Sequence, residues 1–247
     1  MSEVVLITGA GQGLGFAIAQ GFYDAGYSVV LTDVDENLVA EAAKSIDDSR
    51  SRAIGFKLDV LKKDDFQQAL DFVIDRFGRC DVLVNNAAMT PTTPVLDITA
   101  EEFDAVMSVN LRGTLFGCQV FAKHFSENGF GRIINMASLA GQMGGTASGA
   151  HYAASKAGIM TLTKVFARQF ADQGVTVNAV APGPVDVPSV RDKVPAEKLE
   201  HIINTMIPVK AMSSPGLIAS MVVMLASEQS STVTGACWDA NGGIYMR

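Results

Sequence analysis

Val4-Val5-Leu6-Ile7-Thr8-Gly9-Ala10-Gly11-Gln12-Gly13-Leu14-Gly15 is the stretch whose reading decides the fold. The first four residues form a short, wholly apolar run of β-branched and aliphatic side chains, suited to a strand covered on both faces. Glycines then turn the chain. Phe16, Ala17, Ile18, Ala19, Phe22 and Tyr23 follow with helical spacing, and the pattern stops at Gly26. Glycines between a first strand and a first helix permit a tight turn and let backbone N–H groups approach a pyrophosphate at the positive end of the helix dipole. Gly9, Gly13 and Gly15 are the residues given that role. The strand before them and the helix after them supply the context that a glycine cluster by itself lacks.

The same alternation continues outward along the chain. Strands are expected at 27–32, 53–58, 82–84, 132–136, 175–180 and 235–238. Helices are expected at 38–46, 64–77, 99–127, 151–171, 195–206 and 216–226. Thr99-Ala100-Glu101-Glu102 has the form of a capping box at the start of the long fourth helix. Short Val- and Ile-rich strands alternating with helices predict an α/β fold, a single-domain Rossmann-type doubly wound parallel sheet of about seven strands with helices on both faces. No linker or repeat divides residues 1–247. The longest irregular stretch, 183–215, carries Pro184, Pro188 and Pro195, and its part from 184 to 212 is expected to be a substrate lid.

Composition narrows the function. The chain has 247 residues, 48% of them hydrophobic, and a net charge of −7, so no basic face invites nucleic acid. Cys80, Cys118 and Cys237 are far apart and form no CxxC pair, which argues against a metal centre or a disulfide framework and for free thiols. No apolar run reaches the length of a membrane span. No signal peptide is recognisable at the N-terminus, so a cytoplasmic location is expected.

Asp33 ends the second strand. A carboxylate there accepts hydrogen bonds from both hydroxyls of an adenosine ribose and repels a 2′-phosphate. Asp35 and Glu36 follow, and no Lys or Arg lies between Thr8 and Glu36, so NAD(H) is expected over NADP(H). Asp33 capping the next helix is the alternative reading, and the two roles are compatible. Further along, Tyr152 and Lys156 stand four residues apart on an expected helix and so share a face, with Ser138 just after a strand.

Together these motifs resemble the short-chain dehydrogenase/reductase family over essentially the whole chain. The family's TGxxxGxG appears as Thr8, Gly9, Gly13 and Gly15, its acidic adenine contact as Asp59 followed by Val60, and its NNAG as Asn85-Asn86-Ala87-Ala88. Its helix asparagine matches Asn110, its serine Ser138, its YxxxK Tyr152 and Lys156, and its PG motif Pro182-Gly183. The resemblance implies a catalytic tetrad of Asn110, Ser138, Tyr152 and Lys156. It also implies a cofactor site of Gly9, Gln12, Gly13, Leu14, Gly15, Asp33, Asp59, Val60, Asn86, Ala87, Tyr152, Lys156, Pro182, Gly183 and Val185. In that reading Lys156 and a positive nicotinamide ring lower the Tyr152 pKa, making it a general acid/base near neutral pH. Lys156 also holds the nicotinamide ribose, Ser138 holds the substrate oxygen, and Asn110 positions a water that relays protons. The implied enzyme is an NAD-dependent short-chain alcohol dehydrogenase or ketone reductase. A 3-oxoacyl-(acyl-carrier-protein) reductase is the second reading, and a non-catalytic NAD-binding regulator the third. A homotetramer is implied too, paired through the helices near 101–127 and 151–171 and through the C-terminal Ile244-Tyr245-Met246.

The chain departs from the family at three places. Ala88 replaces the NNAG glycine, which suggests a less free backbone or a narrower substrate side. No threonine follows Pro182-Gly183, leaving the nicotinamide amide to the Val185 backbone. Asn241-Gly242-Gly243 stands for DGG. Several tempting residues receive bland assignments: His151 to surface or subunit packing, Ser155 to helix packing, Glu101, Glu102, Glu197 and Glu200 to solvated faces, and Trp238 to core or interface. Of the methionines, Met143 and Met206 are expected in the substrate pocket, with Met136 and Met212 left to core filling. Basic groups on the lid are Arg191, Lys193, Lys198 and Lys210. The pocket walls, 88–93, 140–148 and 184–212, are mostly small or apolar and point to an uncharged ketone or alcohol of modest size.

Overall fold

A computed structural model of the chain describes residues 2–145, 148–193 and 196–247. Seven parallel strands form one sheet in the order β3-β2-β1-β4-β5-β6-β7. They are β1 (Val4–Thr8), β2 (Ser28–Asp33), β3 (Ala53–Lys57), β4 (Val82–Asn85), β5 (Gly131–Met136), β6 (Val175–Pro182) and β7 (Cys237–Ala240). The helices are α1 (Gly13–Asp24), α2 (Glu36–Ile46), α3 (Lys63–Phe77), α4 (Ala100–Val106), α5 (Gly113–Asn128), α6 (Leu139–Met143), α7 (Ala150–Phe170), α8 (Pro188–Lys193), α9 (Ala196–His201) and α10 (Pro215–Ala226).

Strand residues feed two cores alternately, as the period of two requires. Val5 and Ile7 of β1 pack with Val82 and Val84 of β4 beneath α1, α2 and α10. Val4 and Leu6 pack with Leu83 on the opposite face, beneath α3 and α5. Each face therefore needs apolar residues, and β1 reads as a continuous hydrophobic run rather than an alternating one. β1 pairs with β2 on one side and β4 on the other, so the strand order reverses there. Crevices outside the carboxyl ends of strands at such a switch point are where ligands bind in open α/β sheets.

Element ends shift by a residue or two, and three expected features come out differently. The fourth helix is not continuous: α4 passes through a π-helical turn, Met107–Arg112, before α5 begins at Gly113. Thr114 Oγ1, just beyond the turn, donates to the Asn110 carbonyl within it at 2.7 Å. The capping box at its start is half made. Thr99 accepts from the Glu102 N–H at 3.2 Å, while the Glu102 carboxylate turns to Thr93 instead of the cap. The lid carries more order than an irregular loop, with α8, α9 and a π-helical turn at Ile202–Met206, and a parallel bridge joins Val185 to Ser213. Pro195, expected to open a helix there, lies outside the described residues, as do Thr146 and Ala147 of the 140–148 wall and the side chains of Lys193 and Lys198.

Candidate active site

The glycine turn is built by exclusion. Gly9 sits at φ +63°, and a Cβ there would come within 2.7 Å of the Ala87 Cα. A Cβ on Gly15 would stand 2.2 Å from the Gly9 carbonyl oxygen and 2.5 Å from Asn86 Nδ2. These contacts let β1, α1 and the end of β4 close on one another. Asn86 locks the arrangement, donating from Nδ2 to the carbonyls of Thr8 (3.0 Å) and Gly9 (2.9 Å). Thr8 Oγ1 in turn accepts from the N–H groups of Asn86 (3.0 Å) and Ala87 (3.1 Å).

Gly13, at φ +60°, would carry a Cβ into open space, so it answers to backbone conformation and not to crowding. The first turn of α1 has no side-chain cap and no acidic residue. Its N–H groups therefore stay available to an anion. Asp33 is tied to the turn by accepting from the Gly11 N–H at 3.2 Å. It is not the cap of α2, a role that falls to Asp35, which accepts from the N–H groups of Asn37 and Leu38. The part played by Gly11 was not read from sequence. Its Cβ would strike Leu38 at 2.8 Å, a clash visible only once α2 is in place.

A cavity of about 1020 Å³ runs from this turn across the carboxyl ends of the strands. Every expected cofactor residue lines it: Gly9, Gln12, Gly13, Leu14 and Gly15 from the turn, then Asp33, Asp59, Val60, Asn86, Ala87, Pro182, Gly183 and Val185. Ser138, Tyr152 and Lys156 lie within the same cavity, with Lys156 the one basic residue among its described lining. A cradle of close-packed glycines, an open helix N-terminus and a ribose-side carboxylate fit a nicotinamide dinucleotide.

Ser138 follows β5 and caps α6, its Oγ accepting from the Ala140 N–H at 3.1 Å. Gly141 lets α6 press against α7, since a Cβ there would lie 2.6 Å from the Ala157 nitrogen. That contact carries Ser138 up to Tyr152 in the first turn of α7. Lys156, one turn further on, is buried and donates to the Met136 carbonyl at 2.6 Å, with its Nζ 5.7 Å from the Tyr152 ring centre. Burial pulls the Lys156 pKa down to about 8. Burial pushes the Tyr152 phenol up, opposed by the Ser138 and Thr90 hydroxyls beside it. Desolvation dominates in the protein chain itself, and the lowering expected from sequence draws on the positive nicotinamide ring as well as on Lys156. A further positive charge is needed to bring it down.

Asn110 stands apart from these three. It is absent from the described cavity lining and fully buried in the π-helical turn. Its Oδ1 accepts from the Met89 N–H (2.8 Å), while Nδ2 donates to the Met89 carbonyl (2.9 Å) and to Ser155 Oγ (3.0 Å). One amide hydrogen and one lone pair thereby hold the segment after β4, and the other hydrogen ties Asn110 to α7. Ser155, assigned to packing, is buried there and donates to the Tyr152 carbonyl at 2.7 Å.

Two bland assignments fail. His151 is not at the surface: it is 1% exposed, packed over Gly149, with Nε2 3.3 Å from Glu102 Oε1. Glu102 is not simply solvated, since Thr93 Oγ1 donates to it at 2.6 Å and, together with His151, holds its carboxyl below the usual range. Glu102 sits on α4, His151 on α7 and Thr93 on the segment between β4 and α4, three elements whose approach to one another no local pattern encodes. Glu101, Glu197 and Glu200 are exposed as expected. Met143 and Met206 line the cavity, but so do Met89 and the largely buried Met136. Ala88 has no positive φ, so the missing glycine imposes no backbone strain. Arg191 is occupied by Asp186 at 2.6 Å and Lys210 by the Asn204 carbonyl at 2.7 Å. Trp238 packs partly buried against the core beneath α1 and α10. Among the described residues no cluster suits a metal ion and no helix is long and apolar enough to cross a membrane.

Residues 9–245 match the family model described as enoyl-(acyl carrier protein) reductase. A short-chain dehydrogenase of Bacillus anthracis superposes with a TM-score of 0.89 at 30% identity, covering 99% of this chain and 97% of that one. The chain belongs to the short-chain dehydrogenase/reductase family. Among curated relatives of this family, a diacetyl reductase ((S)-acetoin forming) of Staphylococcus epidermidis is 35% identical over the full length of both chains. A 3-oxoacyl-(acyl-carrier-protein) reductase of Thermotoga maritima is 33% identical over 99% of this chain and 98% of its own. As a short-chain dehydrogenase/reductase, the chain is an oxidoreductase that works with a nicotinamide cofactor.

Proposed function

We propose that the protein transfers a hydride between NAD(H) and a small, uncharged secondary alcohol or ketone. The observation that carries this reading is one cavity holding the glycine turn and Asp33 at one end and Ser138, Tyr152 and Lys156 at the other. The cofactor supplies or accepts the hydride. In reduction, Tyr152 Oη gives a proton to the substrate oxygen, and in oxidation it takes one. Ser138 Oγ holds that oxygen. Lys156, buried against the Met136 carbonyl, anchors the nicotinamide ribose and favours the phenolate. Asn110 serves as a positioning residue through Met89 and Ser155. The segment 184–212 acts as the lid, through apolar side chains such as Val187, Leu199, Ile202 and Met206.

NAD(H) is favoured over NADP(H) because Asp33 occupies the ribose end and no basic side chain lines it among the described residues. The same scarcity of positive charge favours an uncharged substrate. The relative that forms (S)-acetoin from diacetyl is consistent with this choice. A 3-oxoacyl-(acyl-carrier-protein) reductase is the second reading, supported by a relative matching nearly the whole chain. Assembly into a homotetramer through α4, α5 and α7 belongs to the proposal, supported by Phe103 (42% exposed) and Val165 (57% exposed) on those helices and by Met246 (74% exposed) at the C-terminus. A cytoplasmic location goes with it.

The test is initial-rate kinetics with NADH and NADPH against small ketones and a 3-oxoacyl thioester. The proposal expects small-ketone reduction with NADH, its kcat/KM at least about tenfold above that with NADPH. A preference for NADPH and the thioester would establish the second reading instead.

A further inference from the structure

Thr90 lies on the segment after β4, exposed into the cavity that also holds Ser138 and Tyr152. The backbone is pinned on both sides of it. Before it, Asn110 grips the N–H (2.8 Å) and carbonyl (2.9 Å) of Met89. After it, the Pro91 carbonyl accepts from the N–H of Gly149 at 3.0 Å. Gly149 caps the helix that carries Tyr152, so Thr90 is fixed to the same frame as the phenol. Thr93 adds a further tether by donating to Glu102 at 2.6 Å. A loop residue held this firmly is placed with the accuracy that substrate recognition needs.

We propose that Thr90 is a substrate-binding residue whose hydroxyl takes a second oxygen, on the carbon next to the reacting carbonyl, and so selects vicinal dicarbonyls and α-hydroxyketones. This rests on the ketone reductase reading above. Ser138 and Thr90 stand beside the same phenol. With Ser138 Oγ and Tyr152 Oη on the reacting oxygen, Thr90 Oγ1 donates to the neighbouring one. The hydride goes to the reacting carbon and the Tyr152 proton to its oxygen, and the adjacent carbon–oxygen bond order does not change. Elsewhere the substrate end is walled mostly by side chains such as Met89, Leu139, Met143 and Met206, which offer an extra oxygen no donor. Thr92 and Ser148 also line the cavity, but Ser138 and Thr90 are the hydroxyls against the phenol. A site that hydrogen-bonds a substrate oxygen discriminates against the analogue that lacks it.

Butane-2,3-dione and butan-2-one differ by that one oxygen. The dione is also the more reactive carbonyl, so the informative quantity is how the ratio of their kcat/KM values changes with the side chain at position 90. In Thr90→Val, which keeps the shape and loses the hydroxyl, the dione-to-ketone ratio is expected to fall about fivefold or more, the scale of one hydrogen bond. Thr90→Ser is expected to keep the ratio within about twofold of the wild type. A Val ratio that falls less than about fivefold, or a Ser ratio that falls as far as the Val one, overturns the assignment of Thr90 while leaving the reductase reading intact. Absence of NADH oxidation with both ketones in the wild type overturns the reductase reading itself, and this inference with it.

Discussion

Replacing Asn110 with Leu separates two roles that a buried amide beside an active site could have. The side chain makes three hydrogen bonds, two to the Met89 backbone and one to Ser155. Leu keeps the branched shape but is larger, so the loss is that of the bonds with some overpacking added. At about 1 kcal/mol net for each, the variant loses about 3 kcal/mol, rising towards 5 kcal/mol if the Met89 N–H and carbonyl stay dry. For a chain of this size that lowers the melting temperature by about 6–12 °C. The assay is thermal unfolding followed by circular dichroism, with NADH-dependent turnover measured on the same samples. Asn110→Asp is not expected to rescue, because a carboxylate facing the Met89 carbonyl repels it and gives Ser155 no hydrogen. A melting temperature within about 2 °C of the wild type, with activity lost, would refute the clamp and restore the role of a solvent relay.

Gly15→Ala puts a Cβ 2.2 Å from the Gly9 carbonyl oxygen, backbone that cannot step aside, so fluorescence titration should show NADH affinity reduced at least about tenfold. Lys156, with its pKa lowered to about 8 by burial, binds fewer protons folded than unfolded between about pH 8 and 10.5, so its contribution to stability rises with pH across that window. Urea unfolding at pH 7.5 and 9.5 should therefore show the wild type gaining stability relative to Lys156→Met, and a constant difference between the two would contradict the burial argument.

Much of the frame was legible because it answers to local rules. The strand β1, its glycine turn and the helix after it follow from one run of residues, and the YxxxK spacing places Tyr152 and Lys156 on one face of α7. What escaped was set by tertiary approach. A π-helical turn adds a single residue to a long helical pattern and leaves no mark in a period of 3.6. Gly11 and Gly141 look like ordinary glycines until α2 and α7 come against them. His151 reads as a surface residue because nothing near it in sequence announces Glu102. Thr90 carries no motif at all, and its standing depends on hydrogen bonds from Asn110 and Gly149 on either side. The upward push on the Tyr152 phenol also required the structure, since only its burial reveals it.

The central claim is that Tyr152 Oη moves the substrate proton at a site already able to hold NADH. Tyr152→Phe keeps the ring and removes only that oxygen. Stopped-time assays of ketone reduction, paired with NADH binding by fluorescence, should show turnover reduced at least about 100-fold with the dissociation constant within about threefold of the wild type. Turnover within about tenfold of the wild type would contradict the account.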